Sequence, residues 1–101
     1  NLVTIIDYNK YQNEMSVKET LDLGNLKNKI SSFNLEVVEI NGHDYQGIKK
    51  AFKRNKTNKN LVILAHTIKG KGVSFMENDN HWHSAKLDKE SYEKALVELN
   101  I

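Results

Sequence analysis

The stretch Leu61-Val62-Ile63-Leu64-Ala65 is the longest unbroken apolar run in the 101-residue chain, and its reading decides the fold. A short run of this kind, rich in branched aliphatic residues, reads as a strand covered on both faces, the habit of parallel sheets. Working outward, Leu2 to Ile6 has the same character, and Leu35 to Ile40 is a third apolar run. The segments between them carry helical period. Leu23, Leu26, Ile30 and Phe33 fall on one stripe, and Tyr45, Ile48, Ala51 and Phe52 on another, with Asp44 placed to cap its first turn. At the far end Asp88 is placed as an N-cap, Glu90 favours the helix start through the dipole, and Tyr92, Ala95, Leu96 and Leu99 share a face. Strands alternating with helices predict an α/β fold, a parallel sheet of βαβ units.

Composition narrows the function classes. The longest apolar run is far short of the about 20 residues a membrane span needs. No basic leader followed by an apolar run opens the chain, so no export signal is read. There is no cysteine, hence no disulfide framework, no thiolate metal site and no cysteine nucleophile; this fits a reducing compartment, and the expected location is cytoplasmic. A net charge of +2, from 15 basic and 13 acidic residues, is too mild for a nucleic-acid face. The densest basic run, Lys49 to Lys59, reads as a solvated helix end and loop. The chain starts at Asn1 and goes straight into an apolar run, which is read as a sign that these residues are part of something larger.

Two long connections, Asp7 to about Thr20 and Thr67 to Leu87, each follow a strand directly. In open α/β sheets, ligands bind outside the carboxyl ends of strands, so both are candidate site segments. The first offers the side-chain oxygens of Asp7 and Asn9 together with carbonyls of an irregular backbone, a donor set that suits Mg²⁺ beside a diphosphate. Asp and Asn also simply start turns after strands, and that alternative stays open. The second begins Thr67-Ile68-Lys69-Gly70-Lys71-Gly72-Val73, where glycines allow close approach to an anion and lysines supply charge. It matches neither common nucleotide fingerprint, and a flexible basic loop is the plainer reading. His81-Trp82-His83 follows; it presents either a polar imidazole beside an aromatic wall or a surface loop with Trp82 tucked onto the core. His43-Asp44 is read as a turn residue and a cap, and His66 as a partly buried strand end.

Taken in order, four segments resemble the thiamine-diphosphate-binding half of transketolases, most nearly the separately encoded N-terminal subunit of the split type. They are Leu2 to Gln12, Val38 to Asp44, Ala65 to Glu77, and Trp82-His83. The resemblance implies thiamine diphosphate and Mg²⁺ as cofactors. It implies that Asn9 coordinates the metal through its side chain and Tyr11 through its carbonyl, and that His83 contacts substrate and cofactor near the diphosphate. The Thr67 to Gly72 loop would shape the wall, with Lys69 and Lys71 adding positive charge. The implied reaction is transfer of a two-carbon ketol unit between phosphorylated or activated sugars. The implied partner is a C-terminal transketolase subunit carrying the pyrimidine-binding domain, in a dimer of such pairs, with no nucleic acid and no membrane.

The family's Gly-Asp-Gly motif, roughly thirty residues before the Asn in the diphosphate-binding fold, does not occur here. Residues 1–101 therefore resemble the back half of one domain, without its upstream half, and are expected to be inactive alone. Departures from the family pattern are Asn13-Glu14-Met15 after Gln12, Ser84 after the loop histidine, and Asn60 before the third strand. Tyr8 and Val17 to Leu23 look more like subunits found with surface-sugar or modified-sugar pathways than with pentose-phosphate metabolism. The alternatives are a deoxyxylulose-phosphate-synthase-like thiamine enzyme and a non-catalytic α/β binding module, which would use the Lys49 to Lys59 patch.

Overall fold

The central run becomes a central strand. In the computed structural model, which describes residues 2–13, 15–54 and 58–101, the elements run β1 (Val3–Tyr8), β2 (Tyr11–Gln12), β3 (Met15–Ser16), α1 (Val17–Leu21), α2 (Leu26–Ser31), β4 (Glu36–Asn41), α3 (Tyr45–Lys53), β5 (Leu61–His66) and α4 (Lys89–Leu99), with 3₁₀ turns at Ser74–Met76 and Asn80–His83 before the last helix. Lys56 of the basic run and Glu14 of the first connection lie outside the described residues. The chain divides into two units, Asn1–Asn9 with Asp22–Thr67, and Lys10–Leu21 with Ile68–Ile101. Among the described residues, no helix is long and apolar enough to cross a membrane.

The first unit holds a three-stranded sheet in the order β1-β5-β4, with both pairings parallel. β5 is buried from Leu61 to Ala65, as its unbroken apolar run requires. On one face, Leu61 and Ile63 pack with Val38 and with Ala51 of α3, while Val3 and Ile40 close on the same cluster. On the other pleat, Lys27 of α2 reaches Glu39 of β4 at 3.2 Å, which puts α2 on the face opposite α3. The chain passes from β1 over β5 to β4 and then back, so the direction of winding reverses at β5.

Two expectations of burial are not met within residues 1–101. Leu2 to Ile6 reads as a strand covered on both faces, yet β1 is an edge strand with Ile5 56% exposed. The helical stripes are also only partly covered: Ala51 is buried and Ile48 half-buried, but Tyr45 and Phe52 are exposed, and Phe33 lies beyond the end of α2 at 77% exposure. Within residues 1–101 the sheet has three strands with β1 at one edge, and these apolar side chains are exposed in that stretch.

The second unit holds a small antiparallel pair, β2 with β3, where the sequence shows only a connection. Its helix α1 starts at a capping box. The Ser16 hydroxyl donates to Glu19 Oε2 at 2.6 Å, and the Glu19 amide donates back to Ser16 Oγ at 3.2 Å. α4 has the expected cap, with Ser91 N–H donating to Asp88 Oδ1 at 2.7 Å, and closes on left-handed Asn100. Its Ala95 is buried, while Tyr92 and Leu99 are exposed.

Because Ile63 is 1% exposed at the middle of the central strand, Ile63→Ala is expected to lower the unfolding free energy by about 2–5 kcal/mol in denaturant titration. Val97→Ala, on the exposed side of α4, is expected to change it by less than about 0.5 kcal/mol.

Candidate functional site at the strand ends

Parallel pairing in register brings three strand ends to one level. Tyr8 of β1 and Asn41 of β4 both stand opposite His66 of β5, and Asn9 and Thr67 follow at once. Three contacts shape this rim. The Thr67 hydroxyl donates to Asp7 Oδ1. The Gly42 amide donates to the His66 carbonyl at 2.8 Å. A Cβ on Gly42 would come within 2.5 Å of Thr67 Cγ2, so this position has room for no side chain. Beneath the rim, Asp7 and Thr67 border a cleft of about 220 Å³ floored by Ile5, Ile40, Ile48 and Phe52.

On the opposite pleat His66 is half-buried as expected, its ring 5.5 Å from that of Tyr8. Its Nε2 lies 3.1 Å from Glu39 Oε1, and Lys27 Nζ holds the other carboxylate oxygen. These hydrogen bonds, from His66 first and Lys27 second, hold the Glu39 carboxyl below the usual glutamate value. His43 and Asp44 are the turn and cap expected of them. The His43 amide donates to Asn41 Oδ1, and Asp44 Oδ1 accepts from Gln46 N–H, both at 2.9 Å.

In the second unit the chain turns through Lys10 in the left-handed region, at φ 74°, and its carbonyl accepts from Val17 N–H at 2.8 Å. This places Tyr11 at the head of the hairpin. The Tyr11 hydroxyl donates to the Asn78 carbonyl at 2.6 Å, and Asn80 Nδ2 donates to the Asn13 carbonyl at 2.8 Å. The glycine loop is a closed turn. Gly70 has φ 73°, and a Cβ there would meet Met76 O at 2.3 Å. Glu77 Oε1 accepts from Gly72 N–H at 3.2 Å and pairs with Lys71 Nζ at 3.0 Å, so one lysine and one amide of the loop already face an internal carboxylate. Trp82 is half-buried, its Nε1 donating to Phe75 O at 3.0 Å. The imidazole against its ring is His81, at 5.7 Å, whereas His83 is exposed and lines a shallow depression of about 440 Å³ with Gln12, Asn13, Met15 and Thr20.

Of the residues read from the sequence, Asn9 thus belongs to the first unit, and Tyr11 and His83 to the second. Among the described residues, no group of three or more His, Asp or Glu side chains converges as a metal cage. The donors offered at Asn9 and Tyr11 are a neutral amide oxygen and a carbonyl oxygen. Each by itself is a hard oxygen donor of the kind Mg²⁺ takes. The phenol of Tyr11, Asn80 and Glu77 carry contacts that no motif announced. Only the Ser16 to Glu19 box left a readable signal in that region.

Residues 1–99 match the family described as the thiamine diphosphate binding domain of transketolase. The chain is 36% identical over 102 residues to one of the subunits of apulose-4-phosphate transketolase from Phocaeicola vulgatus, covering 99% of this chain and 36% of that one. It is 37% identical to a 6-deoxy-6-sulfo-D-fructose transketolase subunit of a Clostridium species, covering 98% of this chain and 37% of that one. Human transketolase is further away, at 27% identity over 98% of this chain and 16% of its own. Among solved structures, the transketolase of Campylobacter jejuni superposes with a TM-score of 0.89 at 32% identity, over 100% of this chain and 16% of that one. The chain therefore spans 36–37% of the length of the first two relatives.

Two outcomes follow from the rim. Thr67→Val keeps the shape and removes the donor to Asp7, and is expected to cost about 1 kcal/mol of stability, read by chemical unfolding. The Glu39 carboxyl titrates below its unfolded value, so its stabilisation is present above the unfolded glutamate pKa and is lost as pH falls through the folded one. Carboxyl NMR titration should place the Glu39 midpoint below that of an exposed glutamate, and Lys27→Met should move it back up.

Proposed function

Since the chain belongs to the transketolase thiamine diphosphate binding domain family, we propose that it is part of a transketolase-type enzyme of the split kind. This enzyme moves a two-carbon ketol unit between phosphorylated or otherwise modified sugars with thiamine diphosphate and Mg²⁺. Bound thiamine diphosphate supplies the carbanion chemistry, and the protein supplies position and electrostatics. The observation that carries the reading is the Asp7-Tyr8-Asn9 segment, which leaves the carboxyl end of β1 beside the winding reversal at β5. That is where open α/β sheets take their ligands.

The roles proposed for this chain's residues are few. Asn9 gives a side-chain oxygen to Mg²⁺ and Tyr11 a carbonyl. Asp7, tied to Thr67, holds the exit of β1 from which Asn9 departs. His83, exposed beside Gln12 and Thr20, donates a hydrogen bond to the sugar or to the cofactor's diphosphate end. The remaining protein ligand to the metal is proposed to come from a Gly-Asp-Gly segment outside residues 1–101, which contain none. The pyrimidine-binding domain is proposed to lie on a partner subunit, in a dimer of such pairs. On this view the 101 residues are a partial domain, inactive by themselves. Greater identity to the two sugar-specific subunits than to human transketolase supports the split arrangement and a modified sugar over pentose-phosphate substrates.

The test uses the full chain with its partner subunit. Asn9→Leu is expected to abolish Mg²⁺-dependent thiamine diphosphate binding in calorimetry. His83→Ala is expected to lower kcat/KM for ketol transfer about 10- to 100-fold, the loss of a hydrogen bond to a charged group, with a loss of cofactor affinity of similar size if the bond is to the diphosphate and little change if it is to the sugar. Unchanged cofactor binding in Asn9→Leu would remove the metal assignment.

A further inference from the structure

The β2–β3 pair is two residues long on each side, and a hairpin that short has little stability of its own. What holds it is a pair of reciprocal hydrogen bonds to a segment 67 residues away. The hairpin donates through the Tyr11 hydroxyl to Asn78 O, and receives, at Asn13 O, from Asn80 Nδ2. Both accepting carbonyls belong to residues with left-handed backbone, Asn13 at φ 51° and Asn78 at φ 56°. Asparagine is among the few non-glycine residues that enter this region readily. Asn78 is itself fixed by its amide, which donates to Lys69 O at 2.9 Å. The other amide atom of Asn80, Oδ1, is buried without a hydrogen-bond partner among the described residues. A buried acceptor left unsatisfied is a cost that calls for a reason, and the bond from Nδ2 to the hairpin supplies one.

We infer that Tyr11 is a positioning residue. Its phenol, with the Asn80 amide, straps the hairpin to the Asn78–His83 segment, so that ordering one orders the other. The inference rests on the reading above, in which the Tyr11 carbonyl meets the metal and His83 meets the substrate. One residue then faces both ways, with its backbone oxygen on the cation and its side chain on the segment leading to His83. Coupling of this kind is reciprocal in free energy. Cation binding steadies the His83 segment, and loosening the strap weakens cation binding by the same factor.

The experiment takes the full chain with its partner subunit and thiamine diphosphate, and follows Mg²⁺ affinity by calorimetry, amide hydrogen exchange at His81–Ser84, and the melting temperature of the metal-free protein. Tyr11→Phe leaves the carbonyl in place. It is expected to weaken Mg²⁺ binding about three- to tenfold, the worth of one hydrogen bond, and to reduce the slowing of exchange that Mg²⁺ produces at His81–Ser84. Asn80→Ala is expected to act in the same direction through the second bond. Val97→Ala, on the exposed side of α4, should bind Mg²⁺ as the unsubstituted protein does. If Tyr11→Phe and Asn80→Ala lower the metal-free melting temperature but leave Mg²⁺ affinity and the exchange response unchanged, the strap is structural only and the inference falls. If the unsubstituted chain shows no Mg²⁺-dependent cofactor binding, the thiamine reading falls, and the inference with it.

Discussion

The placement of β5 between two parallel neighbours governs everything else in the first unit. A strand in that position must be apolar along its whole length, because helices lie over both pleats and neither edge is free. That requirement is met by Leu61 to Ala65, and parallel register then sets the ends of β1 and β4 level with His66. Residues far apart in the sequence, Asp7, Gly42 and Thr67, meet at that level through the hydrogen bond and close approach described above. The rim is a consequence of packing the centre first.

The second unit is organised differently. Among its described residues there is no central strand, and the two buried apolar ones, Val73 and Ala95, are small. Side-chain to backbone hydrogen bonds take over the work of definition: Tyr11 to Asn78, Asn80 to Asn13 and Trp82 to Phe75, joined by the Ser74 hydroxyl on Glu98 at 2.7 Å. Directional bonds of this type fix orientation well and add little stability each.

This contrast explains what is readable from the chain alone. The sheet, its parallel sense and the caps at Asp44 and Asp88 are legible, because hydrophobic period and capping chemistry are local signals. The hairpin at Tyr11–Ser16 is not. Its strands are too short to show alternation, and it exists through bonds to residues 67 positions away. The helix Val17–Leu21 announces itself only by Ser16 and Glu19, a spacing easily passed over without an apolar run behind it. Ile5, Phe33 and Tyr45 are exposed within residues 1–101, since periodicity gives the direction of a face but not what covers it. For the site, Asn9, Tyr11 and His83 emerge from the family resemblance, while the phenol of Tyr11 and the carboxylate of Glu77 are invisible to it.

That carboxylate has a consequence for the loop it closes. Glu77 sits five residues from Gly72 and six from Lys71 and holds donors of both, so its local concentration is of order millimolar or higher by tethering alone. A free phosphate arriving at the turn would compete against a resident anion and feel its repulsion as well. Neutralising that one side chain would take the resident negative charge from beside Lys71 and the Gly72 amide and leave the bend more electropositive.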